Sequence, residues 1–241
     1  ISYFFRVNEG VNFSLNDVII DGEISSPKYA IVSPDKNEGG LYSIFVDHVV
    51  FKNFTNKDGG AIFKAYNGTK ADTLSFKNSR FDNSYRGLNL SYDKDQVGFY
   101  NANIIILEDI EEEAVSYVRN TPLEDIPGGK LVVTNCVFSA VNNQEKGKLL
   151  KTTGIYAVEI TNSVFENSYK QKAPVDLKGN YNFISNCLIH NSGFVKTSKG
   201  AKDTNLIYSN PKWDDDVLFI PSKKSPLLKE NNNKERIGLK Q

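Results

Sequence analysis

Short stretches of alternating apolar and polar residues recur along the chain, and most of them carry the same eight-residue pattern. The pattern reads apolar, any residue, Asn or His, small, any residue, large apolar, any residue, and usually Asn. Copies occupy residues 15–21, 46–53, 76–83, 133–138, 160–167 and 184–191. Alternation of this kind predicts β-strands, and similar strands at a steady spacing predict a repeat architecture.

The spacing of the copies predicts a solenoid. The large apolar residues are separated by 31, 30, 57, 27 and 24 residues, and the interval of 57 fits two turns; they are Ile20, Phe51, Phe81, Phe138, Phe165 and Ile189. Almost no helical periodicity is present. We therefore predict an all-β fold, a right-handed single-stranded parallel β-helix, over residues 1–195. The repeat fades from Lys196, so residues 196–241 are predicted to be an irregular segment that packs on the helix.

Stacked repeats would place equivalent residues in columns with a rise of about 4.8 Å per rung. The large apolar residues would form an interior column. The Asn residues would form two corner ladders whose side-chain amides bond the rungs above and below. These are Asn78, Asn135, Asn162 and Asn186 in one ladder, and Asn53, Asn83, Asn167 and Asn191 in the other. The ladders explain why 27 of the 241 residues are Asn; His48 falls in the first ladder and His190 is predicted to face solvent.

The same stacking bears on the two cysteines. Cys136 and Cys187 share a column, and Ser163 occupies the rung between them. Two rungs amount to about 9.6 Å, which exceeds the limit of about 7 Å between the Cα atoms of a disulfide. We therefore expect two small core thiols.

Composition narrows the classes of function that the chain can have. The chain has 29 basic and 29 acidic residues and a formal net charge of zero, so no global field attracts nucleic acid or an anionic membrane. Any anion site must be a local patch. No apolar run approaches the roughly 20 residues that span a bilayer. The sequence begins at Ile1, lacks Met and shows no leader, so we expect a processed chain or part of a longer protein.

Candidate chemistry is sparse. No nucleophile elbow, phosphate loop or zinc spacing occurs. The acidic runs 108–113 and 214–216 offer oxygen ligands to calcium but lack the spacing of a known loop, so we interpret them as solvated faces. Polar insertions at residues 34–41, 92–98, 120–130 and 142–148 are expected to project from corners, where binding sites are commonly built.

Two of the five arginines stand beside tyrosines: Arg86 follows Tyr85, and Arg119 follows Tyr117 by two residues. A guanidinium fork next to an aromatic ring suits the carboxylate and ring face of a uronic-acid sugar. We therefore take these four residues as candidate substrate-binding residues. The alternative is that both arginines are corner residues bonding backbone carbonyls.

The rungs also resemble a known family. The Asn-ladder rungs and the segments 71–74, 85–91, 117–119 and 124–138 are similar to the C-terminal β-helix of family 6 polysaccharide lyases, the alginate lyase and chondroitinase B family. The likeness covers roughly residues 10–195. The chain's ending also resembles β-helix domains of surface proteins from Bacteroidetes polysaccharide-utilisation systems. Both resemblances imply an extracellular glycan as partner.

The resemblance implies no catalytic residue here. In those lyases a Glu-x-Glu pair and an Asn bind calcium, and a Lys and an Arg perform the elimination; this chain has no Glu-x-Glu followed by Lys, and 23–28 is the nearest imitation. Our first hypothesis is a non-catalytic glycan-binding or scaffold module, without a cofactor, of a secreted, periplasmic or outer-membrane surface protein. It would bind an acidic polysaccharide and adjoin an N-terminal domain of the same protein. The alternative is an active lyase that cleaves uronic-acid polymers by β-elimination, with calcium as its possible cofactor.

Overall fold

The protein is described by a computed structural model. It describes residues 2–35, 40–66, 69, 71–92, 99–110, 115–119, 129–141, 149–168, 175–177, 181–193, 196–197, 202–229 and 237. Parts of the insertions predicted from the sequence, namely 36–39, 93–98, 120–128 and 142–148, lie outside these residues.

Among the described residues the chain is almost entirely β-structure. The strands are β1 (Tyr3–Arg6), β2 (Asn12–Asn16), β3 (Ile19–Asp21), β4 (Tyr29–Val32), β5 (Tyr42–Asp47), β6 (Val50–Lys52), β7 (Ala61–Ala65), β8 (Ala71–Ser84), β9 (Leu88–Tyr92), β10 (Phe99–Ile110), β11 (Val115–Arg119), β12 (Lys130–Thr134), β13 (Val137–Ser139), β14 (Leu150–Thr153), β15 (Ala157–Thr161), β16 (Val164–Glu166), β17 (Val175–Leu177), β18 (Tyr181–His190), β19 (Lys196–Thr197), β20 (Lys202–Tyr208), β21 (Trp213–Asp215) and β22 (Ile220–Pro221). One short 3₁₀-helix spans Pro226–Leu228.

The strands stack as the coils of a parallel β-solenoid. An eight-stranded sheet has the order β1-β4-β7-β9-β11-β14-β17-β19, and a twelve-stranded sheet forms the rest of the wall. All strand pairs in both sheets are parallel, and only β21 and β22 pair antiparallel. The predicted fold class is therefore confirmed. Each coil contributes one strand to the eight-stranded sheet and one or two to the twelve-stranded sheet, where β8, β10 and β18 run through a corner without a break.

The predicted interior column is confirmed. Ile20 pairs with Phe51, Phe51 with Phe81, Phe138 with Phe165, and Phe165 with Ile189, and all six are buried. The rings of Phe138 and Phe165 lie 4.8 Å apart and nearly parallel. The backbone of Leu107 in β10 is in register with both Phe81 and Phe138. This accounts for the interval of 57 residues as two turns.

Both corner ladders are also confirmed. Every predicted ladder Asn has a positive φ, between 39° and 64°, which is the left-handed region that Asn tolerates better than most residues. In the first ladder Asn186 Nδ2 donates to Asn162 Oδ1 at 2.6 Å, and Asn205 Nδ2 donates to Asn186 Oδ1 at 2.6 Å. In the second, Asn83 donates to Asn53 at 2.7 Å and Asn191 to Asn167 at 3.1 Å.

Not every ladder position is Asn. His48 takes the left-handed conformation as predicted, but Asn78 donates to Asp47 Oδ1 at 2.7 Å instead of to the imidazole. Ala140 occupies the second ladder with a φ of 51°, between the rungs of Asp109 and Asn167. Its methyl group cannot take part in a ladder of amides.

The small residue after each corner Asn has a role that the sequence pattern did not reveal. Ser163 Oγ donates to Thr161 O at 2.8 Å and accepts from Cys136 N at 3.2 Å. Ser79 repeats this arrangement with Lys77 O and Val49 N. The hydroxyl thus satisfies one carbonyl of its own turn and one N–H of the preceding coil, both of which the corner leaves unpaired.

The cysteines are free and buried, as expected. Cys136 and Cys187 each donate a weak S–H bond to the carbonyl two residues earlier, so each replaces the corner serine. Complete burial raises the pKa of the Cys187 thiol to about 12. Cys187 is therefore a protonated, unreactive core thiol at neutral pH.

Stacking continues past residue 195. β19 pairs with β17 and β20 pairs with β18, so both sheets gain one more rung than the sequence pattern indicates. After Tyr208 the chain turns back along the outside, and we call residues 210–229 the strap. Phe219 and Leu227 of the strap, together with Ile237, cover the outward residues Val137, Val164 and Leu188 of the stacked coils.

Asn186→Ala tests the ladder. The substitution removes one buried and one partly buried side-chain hydrogen bond, each contributing about 1 kcal/mol, and leaves alanine in the left-handed region at a cost of about 1 kcal/mol. We expect the free energy of unfolding to fall by about 2–4 kcal/mol in denaturant titrations. Asn191→Ala, which loses one exposed bond, is the matched control and should cost about half as much. Equal losses in the two variants would show that ladder burial does not matter.

Candidate functional site

A group of basic and aromatic side chains lies on the outer surface of the eight-stranded sheet, around the starts of β4, β7 and β9. Lys28 immediately precedes β4, Lys64 lies in β7, and Arg86 stands two residues before β9. Ile62 N donates to Arg86 O, and Ala61 N donates to Lys28 O, both at 3.0 Å. These bonds join three successive coils, so the three cations are held at neighbouring rungs. We call these residues, with Tyr29, Tyr66 and Tyr85, the basic–aromatic patch.

Each end of the patch pairs a cation with a tyrosine ring. The Arg86 guanidinium carbon lies 5.1 Å from the centroid of the Tyr85 ring, and Lys28 Nζ lies 5.7 Å from that of Tyr29. Both distances fall within the range of a cation–π contact. The rings of Tyr29 and Tyr66 meet edge to face at 6.4 Å. The cationic groups of Lys28 and Arg86 therefore pack against aromatic rings.

The patch extends toward β1. Arg6 lies with its guanidinium carbon 4.9 Å from the Tyr3 ring centroid and donates to Asp35 Oδ2 at 2.8 Å. Tyr3 and Tyr66 pack on the buried cluster of Tyr29, Val32 and Ala61. Val32 points outward, yet it is fully buried because these side chains cover it.

Lys64 interacts electrostatically with both other cations. Burial, together with the positive charges of Arg86 and Lys28, lowers the pKa of Lys64 to about 8. Burial also raises the pKa of Tyr29, and the charge of Arg86 partly offsets that effect. Both results describe a positive, partly desolvated surface on which an added negative charge would be stabilised.

Two glycines let the coils approach one another beside Arg86. Gly59 has a φ of 89°, and a β-carbon there would stand 3.6 Å from Arg86 Nη1. A β-carbon on Gly60 would lie 2.9 Å from Lys28 O and 2.7 Å from Asn56 O, which is closer than real contacts allow. The turn before β7 therefore has to be Gly-Gly for the coil to pass between Lys28 and Arg86.

The structure brings together two of the four predicted site residues. Tyr85 and Arg86 are half-buried members of the patch. Tyr117 points into the core and is 3% exposed; its hydroxyl abuts Gly129, where a β-carbon would clash with it. The prediction that Tyr117 contacts substrate conflicts with this burial. The side chain of Arg119, the last residue of β11, lies outside the described part of the structure.

The acidic runs give no metal site in the described part of the chain. No group of three His, Cys, Asp or Glu side chains there is arranged to hold an ion. The side chains of residues 108–113 are outside that part. Asp215 of the strap accepts hydrogen bonds from Val217 N and Leu218 N at 2.9 and 2.8 Å, so it shapes a turn.

Sequence reasoning missed Lys28, Lys64, Tyr29 and Tyr66. These residues lie in or next to strands that the eight-residue pattern does not include, and loops of unequal length separate those strands from the pattern. One feature of the sequence could have indicated these strands. The segments Lys28-Tyr29-Ala30-Ile31 and Gly60-Ala61-Ile62-Phe63 are similar apolar stretches at equivalent points of successive coils.

Among the described residues, the structure has no helix with the length and apolar character needed to cross a membrane. No family model matches the chain, and no curated protein matches it significantly.

Lys64→Gln tests the electrostatics of the patch. The folded chain releases the Lys64 proton near pH 8, whereas the unfolded chain holds it to about 10.5, so the unfolded chain binds more protons between these values. Stability due to Lys64 therefore rises with pH across this window, and below it the buried charge is destabilising. We expect the glutamine variant to have a higher Tm than wild type at about pH 7 and to lose this advantage by about pH 10.5. Lys130→Gln, on the twelve-stranded sheet, is the control, and a pH-independent difference for Lys64→Gln would contradict the assignment.

Proposed function

We propose that the basic–aromatic patch binds an acidic polysaccharide, and that the chain is a non-catalytic glycan-binding or scaffold module of a polysaccharide-lyase-like extracellular protein. One observation carries the proposal: Lys28, Lys64 and Arg86 converge from three coils onto one surface lined by tyrosines. An anionic ligand bound at this surface would offset the mutual repulsion of the three positive charges.

The chemistry of the patch matches a uronic-acid polymer. A carboxylate placed among the three cations would offset the repulsion that lowers the pKa of Lys64. The planar guanidinium of Arg86 suits bidentate pairing with a carboxylate, and the tyrosine rings offer apolar surface to the faces of sugar rings. Because the cations repeat from coil to coil, successive carboxylates of one polymer can bind along the sheet.

The resemblance of the rungs to the C-terminal β-helix of family 6 lyases supports this proposal from the sequence side. In that setting the module would be secreted, periplasmic or displayed at the outer surface, next to an N-terminal domain of the same protein. The overall neutral charge of the chain is consistent with a local patch, since binding would not depend on a global field.

A second candidate, an active polysaccharide lyase, has one observation in its favour. A lysine whose pKa is about 8 is close to the range of an effective general base, and Arg86 is near enough to influence its charge. In β-elimination such a base removes the proton next to the uronate carboxylate. The electron pair forms a carbon–carbon double bond, and the glycosidic oxygen leaves and takes up a proton. Lys64 would be the base, and Arg86 would offset the carboxylate charge.

Affinity electrophoresis in gels containing alginate, pectate or chondroitin sulfate tests the binding proposal. We expect at least one polymer to retard the wild-type chain. Arg86→Ala should weaken retardation about tenfold, because a charge-assisted hydrogen bond contributes about 1.5–3 kcal/mol. Lys64→Gln should weaken it less, and added salt should weaken it in all variants.

Lys130→Gln removes one positive charge from the other sheet, where Lys130 Nζ pairs with Glu159 Oε2 at 3.0 Å, and should bind like wild type. Equal retardation of wild type and Arg86→Ala would contradict the binding proposal. The ultraviolet absorbance of the same mixtures separates the two candidates. An increase in absorbance that requires Lys64 establishes a lyase. A constant absorbance in a mixture in which the chain binds the polymer establishes a non-catalytic module.

A further inference from the structure

A cleft of about 390 Å³ lies between the second corner ladder and the strap, and none of the patch residues lines it. Ala140, Glu166, Asn167 and His190 form its wall on the solenoid, and Trp213 and Asp216 form its wall on the strap. His190, which the sequence places in solvent, is in fact half-buried here. The volume is within the range of about 300–1,000 Å³ that is typical of small-ligand sites.

The cleft lies beside a position of the second corner ladder that carries no side-chain amide. Ala140 adopts a φ of 51° at a position where Asn53, Asn83, Asn167 and Asn191 carry amides. Alanine in the left-handed region costs roughly 1–2 kcal/mol and gains no side-chain hydrogen bond in return. A strained residue that persists without a local benefit is typical of functional sites. Here the absent amide leaves open the part of the cleft next to Asn167.

The absence of an amide at Ala140 also leaves the side-chain amide of Asn167 without the acceptor that the ladder would supply. Asn167 Oδ1 accepts from Asn191 Nδ2 at 3.1 Å, as in the rest of the ladder. Its own Nδ2 would donate to the preceding rung, but Ala140 has no acceptor. Within the described part of the chain this amide group has no acceptor, so it can donate to a ligand in the cleft.

The remaining walls supply acceptors and an aromatic surface. Glu166 is 3% exposed and accepts from Trp213 Nε1 at 3.0 and 3.1 Å and from Ser139 Oγ at 3.2 Å. Burial raises the pKa of Glu166, and the charge of Asp216 raises it further, while the two hydrogen bonds act in the opposite direction. Trp213 is fixed by Glu166 on one side and by an edge-to-face contact with Phe219, 5.4 Å between centroids, on the other.

We propose that this cleft is a second glycan site, one that binds a neutral sugar residue. Sugar hydroxyls both donate and accept, so they fit a cleft with carboxylate acceptors on Glu166 and Asp216 and an amide donor on Asn167. The half-buried indole of Trp213 offers a surface for a sugar ring. The two carboxylates repel acidic sugars, so the cleft and the basic–aromatic patch select opposite classes of glycan. The inference does not depend on the proposed function of the patch.

The chain contains one tryptophan, Trp213, so tryptophan fluorescence, excited where tyrosine does not absorb, reports on the cleft alone. We expect saturable changes in Trp213 fluorescence on titration with at least one of three neutral hexasaccharides, cellohexaose, mannohexaose and maltohexaose. The acidic hexagalacturonate should give no saturable change. No change in Trp213 fluorescence with any of the three neutral hexasaccharides at millimolar concentration, or an equal change with hexagalacturonate, would overturn the proposal.

Two variants of Ala140 connect binding to the ladder gap. Ala140→Asn restores an amide where the ladder lacks one, so it should raise the Tm by accepting from Asn167 Nδ2. It should also weaken hexasaccharide binding at least about tenfold, which corresponds to about 1.4 kcal/mol, because it occupies the Asn167 donor and narrows the cleft beside it. Ala140→Gly relieves the strained φ and leaves the cleft open, so its affinity should stay within about twofold of wild type. Unchanged affinity in Ala140→Asn would refute the site, and a gain in Tm excludes misfolding as the cause of lost binding.

Discussion

The fold depends on one local interaction, the left-handed corner residue whose amide bonds its equivalents in adjacent coils. Such a corner turns the chain between two strands and would leave polar groups unpaired if it stood alone. Stacking pairs them: Asn186 is held by Asn162 below and Asn205 above, and Ser163 satisfies the neighbouring backbone groups. Because each corner has a partner only when the coils are in register, the ladder fixes the register of the whole solenoid, and the aromatic interior column follows from it.

The two proposed glycan sites relate to that constraint in different ways. The basic–aromatic patch depends on the regular stacking of the coils, because stacking presents Lys28, Lys64 and Arg86 in successive coils at or near the starts of strands. The cleft lies where the second corner ladder is interrupted, because Ala140 has no side-chain amide and the strap does not fill the adjacent space. A regular solenoid therefore supports a linear site along a sheet and a local site at a break in a column.

Much of the fold was predictable because stacking repeats the same demand at a readable spacing. The interior column, both ladders and the free cysteines all follow from six copies of one pattern. The candidate site was predicted only in part, since Tyr85 and Arg86 lie next to a pattern copy while Lys28 and Lys64 follow loops of variable length. Tyr117 shows a further limit. Its pairing with Leu90 turns it inward, and a shift of one residue in β11 would have turned it outward.

The most direct test of the account is a residue-by-residue map of amide chemical shifts in the isotopically labelled chain, with and without a saturating acidic oligosaccharide such as hexagalacturonate. We expect shifts concentrated around Lys28, Lys64 and Arg86, including the amides of Ile62 and Phe63 that bond the coil of Arg86. We expect little change in β12 and β15. Shifts confined to the twelve-stranded sheet, or spread evenly over both sheets, would contradict it.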